Sequence, residues 1–364
     1  MKKVMLSFGT RPEAIKMCPV AKELLMNEEI KLTVCLTGQH GSMLSGVTEA
    51  FGIRADYDLG VMREGQSLDA LTSSILSGVS RLLGEVKPDI LLVHGDTTTA
   101  YASALAAFYQ NIPIGHVEAG LRSGDISSPF PEELNRRAIS LISKYDFAPT
   151  ERAVETLIKE GKPPHSVFLT GNTVIDALRI TLSENFKSEI LDAANGARII
   201  LLTAHRRENL GEPMKRMFSA IRRVAEEVDD VIIVFPVHKN PVVREAAALA
   251  FSGCERVILT EPLDVFEFHN IMKHSYLIVT DSGGIQEEAP ALKKPVLLMR
   301  KNTERPESVE SGAVMLVGTD EGEIYSGIMT LLTDKEKYRK MTSVKNPYGD
   351  GFAARRIADI VENA

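Results

Sequence analysis

Three carboxylates in the first half of the chain occupy positions where acid/base chemistry is expected. Asp96 and Glu118 each end an apolar, strand-like run, and Glu132 begins a helix-like segment just after Pro131. A carboxylate that emerges from a buried strand is costly unless it is paired or used. Grouped carboxylates also raise one another's proton affinity, which suits general acid and base catalysis. We therefore predict that Asp96, Glu118 and Glu132 carry catalytic chemistry.

Two of these carboxylates also have a purely structural interpretation. Aspartate is a preferred helix N-cap, so Asp96 could cap the helix that is expected to start beside it. Glu132 and Arg136 are spaced i, i+4 and could form an ordinary surface ion pair worth about a few tenths of a kcal/mol. The grouping of three carboxylates in one half of the chain favours the catalytic interpretation.

The segment GTRPEAIK, from Gly9 to Lys16, places two cations in a turn between a strand and a helix. Arg11 and Lys16 would lie near the helix N-terminus, where a cation is mildly unfavourable because the helix dipole is positive there. An anion that binds at this turn would explain their placement. The alternative is that both are solvated surface charges.

A second cationic group follows a strand in the second half of the chain, in TAHRRENLGEP. His205, Arg206 and Arg207 are consecutive there, which predicts an anion site rather than a single structural histidine. His238, in FPVHKNP, ends the next strand. For His238 a structural role and a binding role are equally compatible with the sequence.

The segment TDSGGIQEEA, from Thr280 to Ala289, is the most specific of these motifs. Ser282, Gly283 and Gly284 come between a strand and a helix and would let a ligand approach the backbone closely. Backbone N–H groups in such a turn can bind a diphosphate. Glu288, one turn into the helix, could hold ribose hydroxyls. The alternative is a plain capped helix with acidic residues in its first turn.

The elements that must position these residues are two successive series of strands and helices. Many of the strands are apolar throughout, as expected for parallel strands buried on both faces. They are Val4–Phe8, Leu32–Thr37, Ile90–His94, Pro113–Glu118, Phe147–Pro149 and Val167–Leu169, then Arg198–Thr203, Val231–Pro236, Arg256–Leu259, Leu277–Thr280, Val296–Leu298 and Val314–Val317.

Two such series predict two doubly wound, Rossmann-like α/β domains that face each other across a central cleft. We expect a first domain over residues 1–175 and a second over residues 176–345. A final helix within residues 346–364 follows. In this architecture ligands bind at the carboxyl ends of the strands, where the polar motifs fall.

Composition and missing motifs exclude several classes of function. The 364 residues carry a net charge of −7, which argues against nucleic-acid binding over a broad basic surface. Cys18, Cys35 and Cys254 lie far apart, as expected for buried thiols in a reducing compartment. No membrane span is evident, and we predict a cytoplasmic protein. Glycine-rich NAD or ATP motifs and zinc motifs are missing, so no metal site is predicted.

Eight motifs, in order, resemble those of the non-hydrolysing UDP-N-acetylglucosamine 2-epimerases. They are GTRPEAIK, HGDTTT, HVEAGLRS, PEELNRR, HRREN, DSGGIQEEAP, TERPE and NPYGDGxA, and they span nearly the whole chain. The resemblance implies the GT-B fold, with the last helix crossing back onto the first domain. It also implies a homodimer that interconverts UDP-GlcNAc and UDP-ManNAc for polysaccharide biosynthesis, without a cofactor.

The resemblance also assigns residues to roles. Catalytic acids and bases would be Asp96, Glu118 and Glu132, with Arg136 supporting them. His205 would both contact UDP and stabilise the departing diphosphate. Further UDP contacts would come from Arg11, Lys16, Ser282, Gly283, Gly284, Glu288 and Arg305, and the uracil would lie near Leu263 and Phe268. Epimerisation would proceed by elimination of UDP to 2-acetamidoglucal, followed by re-addition.

One part of the family pattern is incomplete. Bacterial members bind a second UDP-GlcNAc as an activator, and Gln39, His40, Arg206 and His238 match positions of that site. Two other positions depart, because they are occupied here by Ser42 and Gly65. These departures predict a weaker activator site or a different substrate. Other possibilities are another UDP-2-acetamido sugar as substrate, a hydrolysing epimerase, a GT-B glycosyltransferase or a non-catalytic UDP-sugar sensor.

Overall fold

The computed structural model describes residues 1–38, 42–63 and 65–364. The chain divides into two compact units. The first unit contains Met1–Ile180 and Tyr348–Ala364, and the second contains Thr181–Pro347. The division falls a few residues after the expected position at 175, because one helix runs unbroken across it from Thr173 to Thr181.

The first unit contains a parallel sheet that has seven strands among the residues described. The strand order is β3-β2-β1-β4-β5-β6-β7. The strands are β1 (Lys2–Phe8), β2 (Ile30–Leu36), β3 (Tyr57–Asp58), β4 (Ile90–His94), β5 (Ile114–Val117), β6 (Tyr145–Ala148) and β7 (Val167–Leu169). The order reverses direction between β1 and β4, so their carboxyl ends mark the expected ligand position.

The helices of the first unit connect these strands and cover the sheet. They are α1 (Arg11–Leu25), α2 (Ser42–Ala50), α3 (Leu68–Val86), α4 (Thr98–Tyr109), α5 (Glu132–Ile142), α6 (Glu151–Lys159) and α7 (Thr173–Thr181). All five residues of β4 are buried, which explains the continuous apolar run ILLV that precedes His94.

The second unit repeats this plan with a parallel sheet of order β10-β9-β8-β11-β12-β13. Its strands are β8 (Arg198–Thr203), β9 (Val231–Pro236), β10 (Val257–Thr260), β11 (Leu277–Thr280), β12 (Val296–Leu298) and β13 (Val314–Leu316). Its helices are α8 (Glu189–Ala194), α9 (Glu212–Glu227), α10 (Pro241–Ala250), α11 (Val265–His274), α12 (Ile285–Ala291), α13 (Pro306–Glu310), α14 (Glu321–Thr333) and α15 (Lys335–Thr342).

The last helix, α16 (Ala353–Asn363), belongs to the first unit although it follows the second in sequence. It packs against α1. Ile357 and Val361 on its inner face are fully buried. Asp176 accepts hydrogen bonds from the backbone N–H groups of Ala353 (3.1 Å) and Ala354 (2.9 Å), so its carboxylate caps the start of this helix.

The expected burial of the cysteines is confirmed for two of them. Cys18 and Cys35 are buried, whereas Cys254 is partly exposed. Across the part of the chain that the structure describes, no helix combines the length and the apolarity that crossing a membrane requires.

Candidate active site

Glu118, at the carboxyl end of β5, is held by two donors from distant parts of the first unit. The ammonium of Lys16 forms an ion pair with Glu118 Oε2, and both side chains are only 10% exposed. Asn172 Nδ2 donates a hydrogen bond of 2.8 Å to the same oxygen. The predicted anion-binding residue Lys16, on α1, and the predicted catalytic residue Glu118, after β5, therefore meet across the end of β4, which lies between β1 and β5 in the sheet.

The backbone of Glu118 adopts an unusual conformation, with φ of 65°. Non-glycine residues rarely occupy this left-handed region, and such residues cluster at functional sites. Glu118 is the first residue after the buried strand β5, at the start of the turn that follows. We infer that this conformation directs the Glu118 side chain back towards the ends of β1 and β4, where Lys16 contacts it.

His94, the last residue of β4, is a buried neighbour of Glu118 that sequence analysis did not single out. Its Nε2 lies 3.7 Å from Glu118 Oε2, and its side chain is 5% exposed. Burial lowers the pKa of His94 to about 4, and the nearby Glu118 carboxylate opposes that effect only in part. His94 is therefore neutral at neutral pH, and the charge on Glu118 is balanced chiefly by Lys16.

Asp96, which follows β4, is paired with a buried arginine. Its Oδ2 forms an ion pair with Arg136, whose other guanidinium nitrogen lies 3.3 Å from Glu133 Oε2. The interpretation of Asp96 as a helix N-cap is wrong. Thr97 is the N-cap of α4, and its hydroxyl oxygen accepts a hydrogen bond from the backbone N–H of Ala100. The carboxylate of Asp96 is thus left for a role other than helix capping.

The expected pair between Glu132 and Arg136 is also wrong. Arg136 is instead paired with Asp96 and Glu133, since α5 begins at Glu132 and turns Glu133 inwards, where it is fully buried. Glu132 nevertheless acts on Asp96. Burial is the largest cause of the raised pKa of Asp96, and the charges of Glu118 and Glu132 raise this pKa further, whereas Arg136 lowers it. The charges of Glu118 and Glu132 therefore act on the protonation of Asp96.

Glu13 fixes the turn that carries Arg11, the first residue of α1. Its Oε2 accepts the backbone N–H groups of Gly9 (3.0 Å) and Thr10 (2.8 Å), and its Oε1 accepts the Thr97 hydroxyl at 2.7 Å. Glu13 thereby joins the turn after β1 to the turn before α4. The motif GTRPE contains this capping-box residue, and the sequence pattern of Thr10 and Glu13 could have identified it.

The second unit has its own cluster of polar residues, which is organised by the buried Asp281. Its Oδ2 accepts the backbone N–H groups of His205 (3.1 Å) and Arg206 (3.0 Å) and the Asn209 side chain (3.0 Å). The Nδ1 of His205 lies 3.3 Å from Asp281 Oδ1. Asp281, at the end of β11, therefore fixes the segment after β8 that carries His205 and Arg206.

The rings of His205 and His238 are stacked, with centroids 5.5 Å apart and an interplanar angle of 21°. Burial lowers the pKa of His205, the Asp281 carboxylate opposes this, and His238 and Arg206 add to it. His238 is exposed. The structure thus places His238, which the resemblance assigned to the activator site, against His205, which it assigned to UDP.

The turn Ser282–Gly283–Gly284 leads from β11 into α12, of which Gly284 is the N-cap. A Cβ on Gly283 would lie 2.7 Å from Arg305 Nη1, so only glycine lets Arg305 approach this turn so closely. Arg305 Nε also contacts Glu287 Oε1 at 2.5 Å. Ser282, Gly283 and Arg305, three of the predicted UDP contacts, are therefore adjacent.

Three other predicted UDP contacts lie on α11, just before it, or on α12. Leu263 and Phe268 are partly buried and pack against the core of the second unit. Glu288 Oε2 lies 3.6 Å from Nε2 of the buried His269 on α11. This contact joins α11 to α12, on which the predicted ribose-binding residue Glu288 lies.

The predicted activator site is described only in part. Gln39 and His40 lie outside the described residues. Ser42 begins α2, and its side chain is likewise outside the description. Gly65 has φ of 70°, a conformation that disfavours the arginine expected at this position of the family pattern. Arg206 is described fully and donates from Nη2 to Glu304 at 3.2 Å.

Chemically, the first unit gathers the carboxylates of Asp96 and Glu118 beside Lys16 and Arg136 as balancing charges. That combination is suited to moving a proton to and from carbon. The second unit gathers arginine and histidine beside a glycine turn, which is suited to an anionic group such as a diphosphate.

Comparison with known proteins identifies the family to which this combination belongs. A family model described as UDP-N-acetylglucosamine 2-epimerase matches residues 22–362. The UDP-N-acetylglucosamine 2-epimerase of Bacillus subtilis is 55% identical over 98% of this chain and 94% of its own length. The enzyme of the same name from Yersinia pestis is 47% identical over 99% and 98%.

Solved structures agree with these sequence relatives. The S. aureus MnaA–UDP co-structure has a TM-score of 0.94 at 48% identity, covering 100% of this chain and 96% of that one. UDP-GlcNAc 2-epimerase from Neisseria meningitidis, bound to UDP-GlcNAc, has a TM-score of 0.92 at 45% identity and covers both chains fully. These similarities confirm the predicted GT-B fold class and the resemblance seen in the motifs. The chain is a member of the UDP-N-acetylglucosamine 2-epimerase family, and hence an isomerase.

Proposed function

We propose that this protein interconverts UDP-GlcNAc and UDP-ManNAc without releasing the free sugar. The observation that carries the proposal is the pair of adjoining strand ends in the first unit, where Asp96 follows β4 and Glu118 follows β5, each paired with a buried cation, Arg136 and Lys16 respectively. Relatives that are about half identical over nearly the whole chain are named for this activity, and the Neisseria meningitidis structure contains UDP-GlcNAc.

Inversion at C2 needs a route that avoids a free carbanion at C2, because C2 of the sugar is not adjacent to a carbonyl that could stabilise it. We propose that UDP leaves C1 while a base removes the C2 proton, which gives 2-acetamidoglucal and UDP. Re-addition of UDP to C1, with a proton delivered to the opposite face of C2, gives the epimer. The reaction is redox-neutral, and the carboxyl groups hold and return the proton.

The proposed roles follow from charge and burial. Asp96, Glu118 and Glu132 serve as acids and bases, and Arg136 keeps Asp96 oriented through their ion pair. The raised pKa of Asp96 suits a group that must both accept and deliver a proton.

The nucleotide would be bound by the cationic groups and the glycine turn. We propose that Arg11, Lys16, His205 and Arg305 stabilise the charge that develops on the diphosphate as it leaves, together with Ser282, Gly283 and Gly284. Glu288 would bind the ribose, and Leu263 and Phe268 would lie beside the uracil.

The test is an incubation of the purified protein with UDP-GlcNAc in heavy water, followed by proton NMR of the products. We expect UDP-ManNAc to accumulate and deuterium to enter C2 of the sugar. Free ManNAc would instead show a hydrolysing enzyme. A glycosyltransferase or a UDP-sugar sensor would leave C2 undeuterated, and that result would contradict the proposal. The variant Glu118→Gln, treated in parallel, controls for exchange that does not depend on the site.

The same proposal includes a homodimer and a cytoplasmic location, both of which the family resemblance and the sequence favour. Light scattering coupled to gel filtration would measure the molar mass. A mass of about twice the 39.9 kDa chain supports the dimer, and a mass of one chain contradicts it.

A further inference from the structure

Glu304 is a carboxylate surrounded by three arginines of the second unit. Its Oε1 accepts from Arg305 Nη1 at 2.7 Å and from Arg206 Nη2 at 3.2 Å. Its Oε2 lies 2.8 Å from Arg300 Nη1. One side chain thus joins an arginine assigned to the substrate, Arg305, to an arginine assigned to the activator, Arg206.

The same pair lies directly against the glycine turn after β11. A Cβ on Gly283 would be 2.7 Å from Arg305 Nη1 and 2.9 Å from Glu304 Oε1. The carboxylate therefore lies at the turn to which the proposed function assigns the nucleotide's phosphates. An anionic ligand that reaches this turn meets Glu304 as well as Arg305.

The carboxyl group of Glu304 is ionised at neutral pH. Burial opposes ionisation, but the guanidinium groups of Arg305, Arg300 and Arg206 together lower the pKa of Glu304 to about 2. Its side chain is 23% exposed, so the carboxylate is partly open to solvent. A negative charge consequently remains beside the turn at any pH at which the protein is expected to work.

A diphosphate competes well for such an arginine. Arginine binds phosphate and carboxylate oxygens through the same fork of N–H groups, and a diphosphate carries more negative charge than one carboxylate. Arg305 has a second carboxylate, Glu287, which is buried and contacts a different nitrogen, Nε. Loss of the Glu304 contact would therefore leave Arg305 anchored in place.

We propose that Glu304 is an internal counter-ion that occupies Arg305 until the nucleotide diphosphate replaces it, and that its release from Arg305 strengthens its pairing with Arg206. This inference rests on the proposed function, because it takes the ligand to be a UDP-sugar. It makes Glu304 a residue that weakens nucleotide binding and links the two arginines.

The test compares UDP binding by the wild-type protein and by Glu304→Gln, using isothermal titration calorimetry. We expect the variant to bind UDP about fivefold more tightly or more, the lower end of couplings between interacting sites. The amide keeps the shape of the side chain but removes the competing charge. A residue that only positioned the arginines would give the opposite sign, because its loss would weaken binding.

Glu208→Gln is the matched control. Glu208 lies 3.6 Å from Arg206 Nη1 and is 58% exposed, so this variant removes the same charge from the same cluster at a contact with Arg206. We expect its UDP affinity to stay within about twofold of wild type, as for an exposed ion pair. If Glu304→Gln folds poorly, Glu304→Asp, which withdraws the carboxylate from Arg305, should shift affinity in the same direction.

Two results would overturn the inference, and they are distinguishable. If wild-type protein binds UDP and the folded Glu304 variants bind it equally or more weakly, the counter-ion role is wrong while the proposed function stands. If wild-type protein does not bind UDP, the proposed function fails and the inference fails with it. If Glu304→Gln and Glu208→Gln strengthen UDP binding equally, the effect comes from the net charge of the protein. That result also contradicts the specific role of Glu304.

Discussion

Lys16 and Glu118 form an ion pair in which each side chain is only 10% exposed. A buried pair of this kind adds little net stability, but removing one partner leaves the other charge uncompensated. This relationship makes Lys16 a structural partner of the catalytic cluster as well as a proposed phosphate contact.

We expect Lys16→Met to lower the free energy of unfolding by about 3 kcal/mol, because the Glu118 carboxylate would stay buried without its cation. Urea denaturation would measure the change. Adding Glu118→Gln to Lys16→Met should recover part of the loss, since the double variant buries no unpaired charge. Lys16→Met with wild-type stability would show that Asn172 alone satisfies Glu118.

Amide variants of the three proposed catalytic carboxylates should all lose turnover. Asp96→Asn, Glu118→Gln and Glu132→Gln are each expected to lower turnover by orders of magnitude while UDP still binds, because the amide cannot take or return a proton. Glu155→Gln, at an exposed carboxylate of α6, is the control and should be fully active. Near wild-type turnover in all three variants would remove the proposed mechanism.

Gly283→Ala should separate binding from folding. The new Cβ would meet the flexible ends of Arg305 and Glu304, which can move aside. We therefore expect the free energy of unfolding to fall by only about 1 kcal/mol, the typical effect of a point substitution, whereas UDP affinity falls at least about tenfold, or about 1.4 kcal/mol, because the turn is obstructed. Thermal denaturation and calorimetry would show this difference. A variant that binds UDP normally would place the diphosphate elsewhere.

Asp176, which caps α16, predicts a pH dependence. Burial raises its pKa from 3.8 to about 6, although the bonds from Ala354 and Ala353 oppose the shift. Between about pH 4 and pH 6 the folded state keeps this proton while the unfolded state has lost it, so the stabilising contribution falls as pH rises. It is fully present below about pH 4 and lost above about pH 6.

Asp176→Asn isolates this contribution, since asparagine does not titrate. The wild-type free energy of unfolding minus that of the variant should fall by about 2 kcal/mol between pH 4 and pH 6.5, since each pKa unit corresponds to about 1.4 kcal/mol and part of the shift is titrated outside this range. Chemical denaturation at several pH values would measure it. A difference that is constant or rises with pH would contradict the assignment.

The sequence predicts the strands well where burial decides them. Ile90–His94, Arg198–Thr203 and Leu277–Thr280 have the predicted bounds, because continuous apolar runs fit a sheet covered on both faces. The strand Tyr57–Asp58 was not predicted, since two exposed residues carry no periodic pattern.

Side-chain partners are harder to predict than strands. The spacing of Glu132 and Arg136 suggested a pair along α5, but the tertiary structure brings Asp96 to Arg136 from another element. The contacts of Glu304 with Arg206 and of His94 with Glu118 were not predicted either, because these residues come together only when separate segments of the chain converge. The assignments of individual contacts to UDP stay predictions from the family resemblance.

The return of α16 to the first unit has a consequence for biosynthesis. The buried inner face of this helix, with Ile357 and Val361, reaches the ribosome exit only after all of Thr181–Pro347 has been made. The earlier half of the fold must therefore wait, with the surface of α1 uncovered, while the later half is already free to close around its own core. Stalling translation before α16 is made would leave a first unit that exposes apolar surface and is prone to aggregation.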